Sequence, residues 1–154
     1  MAKLAALYNH WCIADSVRIA VEARIEERPV EARFLRGMSP TFAEMALKAS
    51  KFNRIMVWYA LLYVVVEGYR ELNISYTPLD EVLAEGEYES LLRRFRNATF
   101  HYQENPFSAK LIDFLEQPES EAWIQGLNKQ LEAFFLDTLP IKETIADSKG
   151  PGSK

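Results

Sequence analysis

The sequence predicts an all-α protein, an up-and-down bundle of four to six helices, and three observations carry that reading. Apolar residues recur at three- and four-residue steps through nearly every segment. One stretch, Ile55 to Val66, is apolar on most sides, as the central helix of a bundle must be. Strand signals are weak, and even Val64-Val65-Val66 follows the helical run before it with no turn signal between.

The first helix carries Leu4, Leu7, Trp11, Ala14, Val17, Val21 and Ile25 on one face and runs towards Arg28-Pro29. Pro29 ends it, because the residue before a proline avoids helical angles. Residues 30–39 form a connector containing Gly37. Ser39-Pro40-Thr41 then opens a second helix, with Thr41 spaced three residues before Glu44 as in a capping box. This helix extends to about Asn73, with a bend allowed near Ser50 to Asn53, and its second half is expected to be buried all round.

Thr77-Pro78 caps a short helix from Leu79 to about Glu85, stopped by Gly86. The next helix begins near Glu87, places Leu91, Leu92 and Phe95 inside, and runs on to Asn105-Pro106. A short helix spans Ser108 to Leu115. The last opens at Pro118-Glu119, presents Trp123, Leu127, Leu131, Phe134 and Phe135 on one face, and closes at Leu139-Pro140. The chain therefore reads as one domain over 1–140, with 141–154 as a flexible tail ending in a Gly-, Ser- and Lys-rich stretch.

Composition narrows the function classes. An apolar share of 49% with 26% charged residues is that of a soluble globular domain. The net charge of -4 argues against a protein that coats nucleic acid through its overall field, but it leaves room for a local basic site. The one cysteine, Cys12, lies on an apolar helix face and reads as core filler. No export signal is evident, and the 12 residues from Ile55 to Val66 are too few to span a bilayer. A cytoplasmic protein with no membrane association is expected. No metal-ligand spacing, glycine-rich phosphate loop or serine-nucleophile motif is present, so no cofactor is expected.

The segment that carries chemistry is Arg96-Asn97-Ala98-Thr99-Phe100-His101. Arginine offers a fixed cationic fork suited to phosphate, and histidine moves protons near neutrality. On an ideal helix, positions five apart lie about 140° apart and positions four apart about 40° apart. Asn97 and His101 then share a face while Arg96 and His101 do not. Three routes bring Arg96 to the histidine: a bend in the helix, a side chain that wraps around it, or a second copy supplying the opposing face.

Glu67, at the end of the apolar stretch, calls for a cationic partner. Arg93 or Arg96 of the motif helix would serve, as would the local Arg70. The same residues also suit an ordinary helix surface, with His101 near a helix end and the arginines balanced by Glu85, Glu87 and Glu89. His10 has no ligand-like companions. Trp58, Tyr59, Tyr63, Tyr69, Trp123, Phe134 and Phe135 lie at helical spacing and read as core or interface.

The Arg-Asn-x-x-x-His spelling in a small all-helical protein resembles the HEPN family, whose signature is an arginine four to six residues before a histidine. The resemblance spans about residues 40–138 and is specific only at the motif. It implies a helical bundle that dimerises so that two motifs face one cleft. Many members are metal-independent endoribonucleases, often toxins or phage-defence factors with a protein antitoxin, while others bind nucleotides or partner proteins without catalysis.

Carried onto this chain, the resemblance makes His101 the acid or base and Arg96 the phosphate clamp. Asn97 would orient His101 or donate to a phosphate oxygen, and Arg93, Arg94 and Tyr102 would bind substrate. The implied reaction is attack of an RNA 2′-hydroxyl on its own phosphate, leaving a cyclic phosphate end. Members neutralised by a nucleotidyltransferase carry a tyrosine two residues after the histidine. Here that position is Gln103 and the tyrosine is Tyr102, so AMP transfer to this site is not expected. The competing expectations are a non-catalytic helical module that binds a nucleotide or partner protein, and a structural bundle whose motif does nothing.

Overall fold

A computed structural model describes residues 2–22, 40–105 and 108–140 of the chain. These residues form six α-helices, and no strand occurs among them: α1 (Ala2–Glu22), α2 (Pro40–Leu72), α3 (Thr77–Leu83), α4 (Tyr88–Phe100), α5 (Ala109–Leu115) and α6 (Ser120–Thr138). The all-α bundle read from the periodicity is the observed architecture. No helix among the described residues is long and apolar enough to cross a membrane. The Pro29 stop, the connector at 30–39, the Thr41–Glu44 capping pair and the tail from 141 lie outside the described residues or side chains.

Helix α2 is the spine, with α1 packed along it on one side and α4 on the other. Helices α1 and α2 run antiparallel. Leu7 meets Gly68 near one end, and the Arg54 Nη1 donates to the Ala20 carbonyl (2.9 Å) near the other. A Cβ on Gly68 would stand 2.5 Å from Leu7 Cδ1, so the missing side chain is what lets α1 lie this close. Leu4, Leu7, Trp11, Ala14 and Val21 are buried as their spacing requires, while Val17 is half-buried.

The second half of α2 departs from its expected burial on all sides. Trp58, Tyr59, Leu62, Tyr63, Val65, Val66 and Tyr69 are buried, but Val57 is exposed and Ile55, Met56 and Leu61 are only partly covered. The helices packed on α2 cover only part of its circumference and leave the remainder to solvent. The main core lies between α2 and the pair α4 and α6, where Leu62, Leu92, Phe95, Phe114, Ile124, Leu127, Leu131, Phe134 and Phe135 are fully buried. Aromatic rings link it: Phe95 contacts Tyr59 (centroids 6.0 Å) and Phe114 (5.6 Å), and Trp123 stacks on Tyr88 at 5.2 Å.

Local chemistry sets the boundaries. Helix α2 ends one residue before Asn73, which takes a left-handed φ of 51°, a conformation asparagine tolerates better than most residues. Helix α3 begins at Thr77 with Tyr76 as N-cap and no side-chain cap of the ordinary kind. Instead Asp80 accepts the Tyr76 backbone N–H (3.1 Å) and the hydroxyls of Tyr69 (2.8 Å) and Ser75 (2.8 Å). Gly86 turns the chain with φ 49°. The Trp123 indole N–H donates to the Val82 carbonyl (2.9 Å), tying α6 to α3.

Helix α4 ends at Phe100, five residues short of the expected Asn105-Pro106 stop. His101 still donates its backbone N–H to the Asn97 carbonyl (3.1 Å), but its own backbone is extended at φ -115°, ψ 143°. The Gln103 side-chain amide donates to the carbonyls of His101 (3.1 Å) and Tyr102 (3.0 Å), serving acceptors that another helical turn would otherwise have used. The Thr99 hydroxyl also bonds back to the Phe95 carbonyl (3.0 Å), competing with the backbone in the last turn.

Candidate functional site

The motif residues divide between two environments. Arg96 lies on the side of α4 that faces α2, and three groups hold its guanidinium. Nη2 donates to the Glu67 carboxylate and Nη1 to Asn97 Oδ1 (2.9 Å), and the cationic carbon sits 5.5 Å from the Tyr63 ring centroid. Its side chain retains 21% exposure, while Nε is buried with no partner. Of the partners that the sequence left open for Glu67, the observed one is Arg96. Arg70 turns away to Glu89 (Nη2–Oε2 2.6 Å) and approaches Asp80 (3.7 Å).

His101 lies beyond the helix, exposed at its C-cap, and its ring makes no hydrogen bond with any described residue. The same-face relation of Asn97 and His101 on an unbroken helix therefore does not hold, because the backbone leaves helical angles at the histidine. What joins the two is the backbone bond from His101 N–H to the Asn97 carbonyl. The structure brings Arg96, Asn97 and Glu67 together and leaves His101 a short distance along the chain, exposed. The flanking aromatics are also open: Phe100 is 47% exposed and Tyr102 89%.

The two remaining arginines differ. Arg94 pairs with Asp113 on α5 (Nη2–Oδ2 2.7 Å), whereas the exposed Arg93 has no hydrogen bond or ion pair with a described residue. Arg93 stands three residues before Arg96 and four before Asn97, one turn along the same flank of α4.

The chain matches no known family model, no curated protein and no solved structure.

Its functional reading therefore rests on the site itself. Arg93 borders a cavity of about 410 Å³ between α2, the end of α3 and the start of α4, whose wall includes Tyr63, Leu83, Gly86, Glu87 and Glu89. Burial, followed by the Glu67 carboxylate, pushes the Tyr63 hydroxyl above its ordinary pKa, and the Arg93 and Arg96 guanidinium groups act the other way. These four residues thus share one local field. Sequence reasoning placed Tyr63 with the core aromatics and Glu87 with the solvated charges. Only the meeting of α2 with the turn at Gly86 makes them neighbours. Among the described residues no group of acidic, histidine and cysteine side chains is arranged to hold a metal ion.

Proposed function

We propose that this chain is a HEPN-like protein that binds RNA and cleaves it without a metal, working as a homodimer whose two motifs line one cleft. The observation that carries the reading is the division of labour at the end of α4: Arg96 is anchored by Glu67 and Asn97, while the ring of the nearby, exposed His101 has no hydrogen-bond partner among the described residues. An anchored guanidinium can stabilise charge on a phosphoryl oxygen without losing much side-chain entropy. An open imidazole at neutral pH can take the proton of a 2′-hydroxyl or return one to the leaving oxygen. Because Arg96 faces α2 and His101 faces solvent, the second copy supplies the opposing side, and exposed Phe100 and Tyr102 flank the face it would cover. A cytoplasmic toxin or phage-defence role, with a protein antitoxin as partner, belongs to the same proposal.

A second reading has its own support. Both terminal nitrogens of Arg96 already have partners within the chain, which suits a helical module that binds a nucleotide or a partner protein without catalysis. The deciding experiment incubates the purified chain with structured and single-stranded RNA in EDTA, beside His101→Ala. Cleavage that survives chelation, leaves cyclic phosphate ends and disappears in the variant is the expected result. Equal residual cleavage in both proteins, or none in either, overturns the ribonuclease reading in favour of the module. A strict monomer at micromolar concentration by light scattering removes the composite cleft.

A further inference from the structure

We infer that the cavity between α2 and the α3–α4 turn is a nucleobase subsite selective for guanine, placed beside the motif that Arg96 anchors. The inference rests on the RNA reading and specifies which base the chain recognises. Four observations carry it.

The space is an open groove of about 410 Å³, with room for a purine against its wall. Tyr63 borders it with only 6% of its surface exposed, and its hydroxyl makes no hydrogen bond with any described residue. The ring is buried and its hydroxyl, on the wall of an open groove, can meet a ligand as donor or acceptor. Arg93 and Glu87 stand at the rim, both exposed, and neither side chain has a partner among the described residues. The other rim carboxylate, Glu89, is committed to Arg70 through both oxygens (2.6 and 3.3 Å).

These groups discriminate among ligands. Glu89 is neutralised by Arg70, so among the described residues the rim keeps one open carboxylate, Glu87, to meet a base, while the phosphate of a nucleotide lies along the Arg93–Asn97 flank of α4. Guanine alone of the four RNA bases offers two adjacent N–H donors, at N1 and N2, to a single carboxylate. It also presents the O6 and N7 acceptors, one of which the Tyr63 hydroxyl can serve as donor. Adenine lacks the N1 proton and would leave Glu87 facing a lone pair. Cytosine offers one amine and uracil one imide N–H. Such unpaired or opposed polar groups are what make a hydrogen-bonding site reject the wrong ligand.

The Tyr63 ring also connects the cavity to the motif, because the Arg96 guanidinium lies over it at 5.5 Å. A base bound against Tyr63 would thus settle beside the group that the proposed chemistry uses. The cleaved linkage would then lie next to a guanosine.

The test is calorimetric titration of the full chain with GMP, AMP, CMP and UMP at one ionic strength, repeated on Glu87→Ala, Tyr63→Phe and, as a control on the exposed surface of α6, Lys129→Ala. GMP should bind at least tenfold more tightly than the other three. Glu87→Ala should erase that preference, Tyr63→Phe should weaken GMP binding severalfold with the helical circular dichroism retained, and Lys129→Ala should bind GMP normally. Equal affinity for GMP and AMP, no GMP binding, or a preference that survives Glu87→Ala overturns the subsite. Guanine preference in a chain that never cleaves RNA supports the cavity and rejects the nuclease. Metal-independent cleavage without preference for guanosine does the reverse.

Discussion

Arg96 and Glu67 join the last turns of α4 and α2, and this ion pair places the guanidinium over the Tyr63 ring. The pair is only partly shielded, with side-chain exposures of 21% for Arg96 and 40% for Glu67. Its net contribution should therefore fall between that of a surface pair and that of a buried one. Glu67→Gln is expected to lower stability by about 1 kcal/mol in urea denaturation. It should reduce any Arg96-dependent RNA activity far more than that loss of folded protein explains, because the freed guanidinium no longer has a fixed position. Unchanged activity with the same loss of stability would show that the pair serves only the fold.

Asp80 ties α2 to the start of α3, and its ionisation gives that junction a pH dependence. Its pKa is held below the ordinary carboxylate value, first by the Tyr69 hydroxyl and then by the Ser75 hydroxyl and the Tyr76 N–H. A depressed folded-state pKa means stability that is present above the unfolded value, near 3.8, and lost as pH falls through the lower folded one. At the alkaline end Tyr69, 1% exposed, is pushed up to about 12 by burial and by Asp80. Its contribution is complete below the ordinary value of 10.0 and is lost as pH rises towards about 12. Asp80→Asn should cost about 1–2 kcal/mol at neutral pH and flatten the acid limb of a thermal-midpoint profile. An unchanged acid limb would contradict the assignment.

Gly126 lies within α6, and a Cβ built there meets nothing within 4 Å. Glycine in a helix interior carries an entropic cost that alanine does not. Gly126→Ala is therefore expected to raise stability by about 0.5–1 kcal/mol, read as a higher urea midpoint with unchanged slope. A loss of stability would mean that another surface needs this position bare.

Much of the fold was legible in the sequence because helix periodicity and its punctuation are local. Trp123, Leu127, Leu131, Phe134 and Phe135 sit on the buried face of α6 as their spacing requires. The end of α4 was not legible, because it depends on the Gln103 amide folding back onto two carbonyls, and no propensity scale contains that bond. Burial around α2 was overstated for a related reason: apolar character at Val57 does not say how many neighbours arrive to cover it. At the site, a need for a cationic partner could be read from Glu67 alone, but the choice among Arg70, Arg93 and Arg96 required the packing of α2 against α4. The meeting of Tyr63 with Glu87 lies further still from local sequence, since it joins positions 24 residues apart across the Gly86 turn.

Arg93 and Arg94 are adjacent in sequence yet should behave differently towards RNA. Arg94 is neutralised by Asp113 at 2.7 Å, so a phosphate would have to displace a carboxylate to reach it. Arg93 is exposed with no partner among the described residues and lies along the flank that carries Asn97. Each phosphate contact releases condensed counterions, which makes the slope of log affinity against log salt a count of such contacts. Arg93→Ala should weaken binding to single-stranded RNA and reduce that slope by about 0.7, the value for one contact on a single strand. Arg94→Ala should leave the slope unchanged and alter stability by no more than about 0.5 kcal/mol, as expected for an exposed pair. Filter-binding titrations at four salt concentrations separate the two. Equal slope changes in both variants would mean that the Asp113 pair opens readily and that the basic flank of α4 is broader than the static contacts indicate.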